Sequence, residues 1–287
     1  MIDQDLLIKN IRMLPPLPAA VDKLCKLASN TNSDVFEVAQ VISGDHALTA
    51  KLLKVVNSAF YSLSQKVSTI FQAVIILGYR EIRSIAMGFS VMNISKSLLL
   101  NACIPIEDFW KHSLGTAILS KKIAKKFRYK DPEEVFVAGL LHDIGKLVLM
   151  DYSIKEYSEV LQKADLLKQR LYDTEKKTFG IDHAQAGEKL CQYWKIPSTV
   201  SSAIGKHHTP SLPGEGNEIA FFIQMADCIT KRKNIGFTGD YLPPETPFPA
   251  TPFTLTQEDI ESFGNQLDEE MVKMEAFYNI SKEAVSA

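Results

Sequence analysis

The chain has 287 residues, 46% hydrophobic and 23% charged, with a formal net charge of −2. That length holds two domains or one large one, and that composition is of an ordinary soluble globular protein rather than a disordered or fibrous one. The slightly acidic balance excludes a broad electrostatic footprint for nucleic acid or an anionic membrane, and no apolar run reaches the roughly 18 residues of a membrane span.

The N-terminus, Met1 to Asp5, is acidic and lacks a signal-peptide layout, so a cytoplasmic protein is expected. Cys25, Cys103, Cys191 and Cys228 lie far apart, with no Cys-x-x-Cys. They read as reduced, small core residues and offer no cysteine-based zinc site.

Leu6, Leu7, Ile8 and Ile11 predict a short first helix, stopped by Leu14-Pro-Pro-Leu-Pro18. Pro18 suits the first turn of a helix over 18–29. Ser33 or Asp34 can cap a third helix, broken at Ser43-Gly44, and Asp45 a fourth, in which Leu48, Leu52, Leu53 and Val56 recur at helical spacing. Asn57 to Phe60 and a polar connector follow. Ser68 can cap a helix over 69–77 that ends at Gly78, and Glu81 to Met92 predicts another. With no strand alternation in the first hundred residues, this part reads as a bundle of short helices.

Asn101 to Pro105 looks like a boundary. Phe109 to Phe127 predicts an amphipathic helix carrying His112 near its start, with Ala117, Ile118, Ile123 and Ala124 on the buried face. Its Lys121, Lys122, Lys125 and Lys126 read as a solvated face. Asp131-Pro132 opens the next helix, whose apolar run delivers His142-Asp143, followed by Gly145 and Lys146. Residues 153–178 are polar and helical in composition, with little chemistry to read. A helix from the Phe179–His183 segment runs through Tyr193. Another, capped by Ser198, runs to His207-His208, and Pro210 and Pro213 force a loop after it. Glu218 to Lys231 predicts a strongly apolar helix carrying Asp227. Residues 236–256 hold five prolines and two glycines, an extended loop, and Ile260 to Tyr278 a final acidic helix. The expected fold is therefore all-α in three parts: 1–100, 101–235 and 236–287.

A His-Asp dipeptide alone is common. The other residues add weight to it. Five of the six histidines fall within residues 112–208, each near the end of a predicted helix. A buried Asp227 needs a partner, because an unpaired buried carboxylate is costly. A divalent cation supplies one, and mixed imidazole and carboxylate ligands suit iron, manganese, zinc or nickel better than calcium. His112, His142, Asp143, His183, His207, His208 and Asp227 are ligands enough for one or two ions. A pair of ions about 3.5–4 Å apart would clamp a phosphate and activate water, and Lys146 could neutralise that phosphate.

These residues resemble the HD superfamily of metal-dependent phosphohydrolases and, more specifically, its HDOD signalling family. The resemblance rests on Leu14–Pro18, Gly44–Leu53, Asn57–Tyr61, Ala73–Gly78, Phe109–His112, Gly139–Lys146, His183 with Trp194–Pro197, and His207–Pro210, and covers roughly residues 11–232. It implies an N-terminal bundle packed on an HD-type helical domain, and a bacterial regulatory protein acting through signalling partners. It places His112, His142, Asp143 and Asp227 at the central metal positions, and His183, His207 and His208 at the further ligand positions of the HD-GYP phosphodiesterases. The alternative it implies is a phosphohydrolase acting on a nucleotide or cyclic dinucleotide, with Asp143 bridging, Lys146 on the phosphate side, and His207 or His208 as proton donor. The chain departs from HD-GYP after His208, where Thr-Pro-Ser-Leu-Pro-Gly replaces Glu and Gly-Tyr-Pro. It departs from HDOD at His46, which stands where a proline is usual and reads as structural.

Overall fold

A computed structural model describes residues 4–28, 35–58, 61–98, 103–211, 214–240 and 253–282. The described residues form fifteen α-helices and no strand. In chain order these are α1 (Gln4–Met13), α2 (Ala19–Ala28), α3 (Val35–Ser43), α4 (His46–Val56), α5 (Ile70–Leu77), α6 (Tyr79–Leu98), α7 (Ile106–Lys126), α8 (Pro132–Leu141), α9 (Ile144–Tyr152), α10 (Ile154–Leu167), α11 (Leu171–Phe179), α12 (His183–Tyr193), α13 (Ser198–Lys206), α14 (Asn217–Arg232) and α15 (Gln257–Lys282). The all-α class is as the hydrophobic patterning predicts. No described helix is long and apolar enough to cross a membrane.

The helices fall into two compact units, each discontinuous in sequence. One comprises Met1–Pro15 with Ser95–Asp268, and the other Pro16–Ile94 with Glu269–Ala287. The three-part linear division therefore differs from the structure at both ends of the chain. The cause at the N-terminus is local. Trp194 Nε1 donates to the Pro15 carbonyl at 3.1 Å, and the Tyr193 hydroxyl donates to that of Arg12 at 3.1 Å. These bonds tie α1 to the end of α12, and hydrophobic periodicity carries no record of such a long-range pairing.

In the smaller unit, Asp45 caps α4 by accepting from Leu48 N at 3.0 Å. His46 is exposed at the first helical position, a place that favours proline because its missing N–H is not needed there. Asn57 explains its own motif. Its side-chain oxygen accepts from Val67 N and its amide donates to Val67 O, both at 2.7 Å, closing the connector between α4 and α5. Tyr61 donates to Glu81 at 2.5 Å. The cap of α5 is Thr69, not Ser68: Thr69 accepts from Gln72 N at 3.1 Å, while Ser68 N and Oγ donate to the Gln72 side chain. Gly78 ends α5 at φ +85°, a conformation open mainly to glycine. Ser33, Asp34, Ala59 and Phe60 lie outside the described residues, as do Asn101, Pro213 and residues 241–252 of the proline-rich segment.

In the larger unit, α7 packs on α8 and α14, α12 packs on α9 and α13, and α13 also meets α8 and α14. Two close approaches set the geometry. A Cβ on Gly139 would lie 2.9 Å from Ala117 Cα, so α8 can sit against α7 only with glycine there. A Cβ on Gly145 would overlap the His183 carbonyl oxygen and lie 2.5 Å from Gly187 N, so α9 meets α12 backbone to backbone. Ser198 does not cap α13. The cap position is Pro197, and Ser198 Oγ donates to Glu215 at 2.6 Å. Nor is the basic row of α7 simply solvated: Lys121 pairs with Glu133 at 2.8 Å, and Lys126 with Asp259 at 2.7 Å.

Candidate metal centre

Each side chain of the predicted constellation is delivered by a helix end or an apolar helix face. Asp131 caps α8 and Pro132 occupies its first turn, and the apolar run Val135–Leu141 is buried throughout. The chain breaks between α8 and α9 at His142 and Asp143, with Asp143 at φ −95°, ψ 2°. His183 is the first residue of α12, after a capping box formed by Asp182 and Gln185. His207 follows α13, with His208 next to it. His112 comes from α7 and Asp227 from the middle of α14. His112, His142, Asp143, His183, His207 and Asp227 are all buried, none more than 7% exposed, and His208 is half-buried.

The structure brings all seven together in three overlapping groups: His112, His142 and Asp227; His142, Asp143 and His207; and His183, His207 and His208. Within each group the ligand atoms lie within 4.8 Å of one another. His112 Nε2 is 2.9 Å from Asp227 Oδ1, and His142 Nε2 is 3.5 Å from Asp143 Oδ2. His183 Nε2 stands 3.2 Å from Asp143 Oδ1 and 2.7 Å from His208 Nε2.

The far nitrogens of three rings are already committed. His142 Nδ1 donates to Gly139 O at 2.8 Å and His207 Nδ1 to Ile204 O at 2.7 Å. His183 Nδ1 donates to Glu175 Oε2 at 2.5 Å. With Nδ1 protonated, Nε2 presents its lone pair to the centre in the neutral ring. Among the described residues His142 Nε2, His207 Nε2 and Asp227 Oδ1 are buried without a completed hydrogen bond, Asp227 Oδ1 having only His112 Nε2 close by. Three lone-pair donors orphaned in one buried cluster would be costly as a hydrophobic-core arrangement. They fit a divalent cation, and the mixture of imidazole nitrogen and carboxylate oxygen fits a transition ion.

The electrostatics agree. Burial, reinforced by the neighbouring imidazoles of His142 and His183, holds His207 well below the ordinary histidine range, and burial beside His207 does the same to His208. Burial also lowers His112, against the pull of Asp227. These three rings are therefore held toward the neutral form, the form that can bind a cation. Burial works to raise Asp143 and Asp227, but Asp143 is held well down by His142 and Lys146, and Asp227 by Lys231 and His112. Burial disfavours the charged His183 ring, yet the Glu175 and Asp143 carboxylates together outweigh it and lift His183 to about 9. Without an ion, a proton on His183 Nε2 thus sits between Asp143 and His208, where a cation would replace it.

Other residues complete the site, and apart from Lys146 they carry no strong sequence signal. Lys146 Nζ bonds Asp143 Oδ2 at 2.7 Å. Lys231 bonds Asp227 Oδ2 at 2.9 Å and Asp240 Oδ2 at 3.0 Å. Each aspartate thus has one oxygen on a buried lysine and the other toward the histidines. Lys231 was detectable, since it stands four residues from Asp227 on one helix face. Glu175, fully buried, was not, because it lies in a stretch that reads as a polar helix. Tyr157 donates to Glu175 Oε1 at 2.7 Å, and the Tyr172 ring stacks on His208 at 4.3 Å. Gly236, at φ +65°, lies so close to the start of α7 that a Cβ there would be 2.5 Å from His112 N, and Phe237 N donates to Asp108 O at 3.2 Å.

Comparison with known proteins places this geometry in context. The family model for the HDOD domain matches residues 14–210. An uncharacterized protein of Treponema pallidum (strain Nichols) is 24% identical over 250 residues, which is 84% of this chain and 45% of that protein. The chain thus spans under half the length of that relative. An HDOD domain protein of unknown function from Geobacter sulfurreducens superposes with a TM-score of 0.75 at 24% identity, covering 98% of this chain and 99% of that one. A candidate phosphohydrolase from Shewanella amazonensis SB2B superposes with a TM-score of 0.72 at 23% identity, covering 96% and 97%. At these identities the two structural likenesses speak to the fold alone.

Proposed function

This chain belongs to the HDOD domain family, and from that premise we propose that it is a bacterial signal-transduction regulator that acts through protein partners and is built around a divalent transition-metal centre. The observation that carries the reading is the combination of orphaned ligand atoms and deep burial. His142 Nε2, His207 Nε2 and Asp227 Oδ1 complete no hydrogen bond among the described residues, which suits a cation, and six of the seven candidate ligands are buried, with His208 half-buried. An ion held there cross-links α7, α12, α14 and the α8–α9 and α13 ends, which suits a structural keystone better than a site open to bulky substrates. Such an ion would be held by His112, His142, Asp143, His183, His207, His208 and Asp227. The smaller unit offers apolar surface of the kind protein partners use: Phe36, Ile75 and Ile76 are more than half exposed, and the Phe36 and Phe71 rings lie 4.7 Å apart.

The second reading is a metal-dependent phosphohydrolase acting on a nucleotide or cyclic dinucleotide. It is favoured by Lys146, whose ammonium lies beside Asp143, where it could meet a phosphate. When bound, the ions would supply Lewis-acid polarisation of a phosphoryl oxygen and a lowered pKa for water. The chain's own contribution would be neutral imidazoles for binding and a lysine for phosphate charge.

The two readings separate in a turnover assay. Manganese- and zinc-loaded wild type and a His142→Ala, Asp143→Ala variant would be offered bis(4-nitrophenyl) phosphate, nucleoside triphosphates and cyclic dinucleotides. We expect no hydrolysis above the variant's background. Turnover that depends on His142 and Asp143 would sink the regulatory reading and establish the second.

A further inference from the structure

The imidazoles of the centre are oriented in two different ways, and the difference follows from where each sits on its helix. His142 and His207 stand at helix C-termini, where the last carbonyls lack intrahelical donors. Each takes the carbonyl three residues back, Gly139 O or Ile204 O, for its Nδ1–H. These orienting acceptors belong to the backbone, so no side-chain exchange removes them. His183 stands at a helix N-terminus, where the unsatisfied groups are N–H donors and no local carbonyl is free. Its acceptor has to come from another helix.

We propose that Glu175 of α11 is the positioning residue that turns His183 Nε2 toward an ion shared with His207 and His208, so that α11 supports one half of the metal centre and not the other. This rests on the metal reading above. Glu175 Oε2 accepts twice from the same residue, from His183 N at 2.8 Å and from Nδ1 at 2.5 Å. The first bond fixes the backbone of the helix start, and the second fixes the ring about it. A carboxylate is also favoured electrostatically at a helix N-terminus. The other oxygen, Oε1, is held by Tyr157 OH at 2.7 Å, so the carboxylate cannot rotate without losing bonds on both sides. Glu175 is fully buried and Tyr157 equally so. One turn earlier on the same helix, Tyr172 stacks on His208, the second ligand of that half. His112, His142 and Asp227 receive nothing from α11 in the hydrogen bonds and ring contacts of the described residues.

The test is a cobalt(II) titration of the chelator-stripped full chain, followed by visible absorption, on wild type, His183→Gln, Glu175→Gln and Tyr157→Phe. Glutamine is nearly isosteric, but it loses the charge and has one acceptor oxygen, so it cannot accept from both His183 and the Tyr157 hydroxyl. The expected result is that Glu175→Gln weakens the binding step that His183→Gln also weakens, by about 10- to 100-fold, and leaves the remaining binding unchanged. Tyr157→Phe, which keeps the carboxylate on His183, should shift that step far less. A second readout needs no metal. The His183 Nδ1 proton, assigned by its loss in His183→Gln, should resonate far downfield in the metal-free wild type and move upfield in Glu175→Gln. The proposal is overturned if Glu175→Gln binds cobalt as wild type does, if all binding is weakened alike, or if the proton does not move. Failure of the wild type to bind cobalt would refute the metal reading instead, and the proton shift would still decide the role of Glu175.

Discussion

Gly145→Ala is expected to destabilise the protein by about 3 kcal/mol or more and to abolish its metal binding. The added Cβ would overlap the His183 carbonyl oxygen and lie 2.5 Å from Gly187 N. Both are backbone atoms of α12, so no side-chain rotation relieves the clash, and α9 and α12 must separate. Overpacking that only side chains absorb costs roughly 1–3 kcal/mol, and a backbone clash belongs at or above that range. The functional cost follows from position. Asp143 immediately precedes α9 and His183 begins α12, so parting these helices parts two candidate ligands whose atoms are 3.2 Å apart. Gly264→Ala is the matched control. There the Cβ would meet only the end of the Lys233 side chain, which can swing away, and the stability change should stay within about 1 kcal/mol. Urea denaturation of both variants measures the difference. Equal stability for the two would show that the α9–α12 approach is not tight.

Lys231→Met should destabilise the metal-free protein by about 3–5 kcal/mol, and excess divalent ion should recover much of that loss. Lys231 Nζ lies between Asp227 Oδ2 and Asp240 Oδ2, and all three side chains are close to fully buried, with 10–13% exposure. Attraction to these carboxylates raises the Lys231 pKa despite burial, so it is a firm ammonium. Removing one member of a buried ion pair leaves an uncompensated charge, which costs about that much. A metal ion on Asp227 Oδ1 would restore positive charge on the other side of the same carboxylate, and this is the origin of the expected recovery. Thermal denaturation of wild type and variant, with chelator and with added manganese or zinc, provides the comparison. The same penalty in both conditions would mean that Asp227 does not hold the ion.

The residues that the structure gathers into one cluster were legible in the sequence, and most of the side chains that orient them were not, for a physical reason. His142-Asp143, His183, His207-His208 and Asp227 each interrupt or end an apolar run, and an ionisable group in such a setting needs a partner. That argument uses only neighbours in sequence. Local pattern also marked Asp45 as a cap and Asp131-Pro132 as the opening of a helix, which the structure bears out. It chose the wrong residue at Ser68, where the adjacent Thr69 accepts from Gln72 N, and at Ser198, where Pro197 holds the cap position. Gln72 takes the Ser68 donors, and Glu215 takes Ser198. Glu175 was out of reach altogether. It lies in a helix whose composition is polar, and only the approach of α12 shows that its carboxylate is buried. The pairing of α1 with the end of α12 is the same kind of information, 181 residues apart at Tyr193 and Arg12. Local pattern gave the elements and the ligand types, while long-range packing gave the orienting shell and the division of the chain.

The claim on which the account stands is that His112, His142, Asp143, His183, His207, His208 and Asp227 hold a divalent transition ion. The most direct measurement is the metal content of the chain purified without chelator, by inductively coupled plasma mass spectrometry, beside the His142→Ala, Asp143→Ala variant. The account predicts one to two transition ions per wild-type chain and their loss in the variant. A folded wild type that carries no metal and takes up none from excess manganese, iron, zinc or nickel would contradict it.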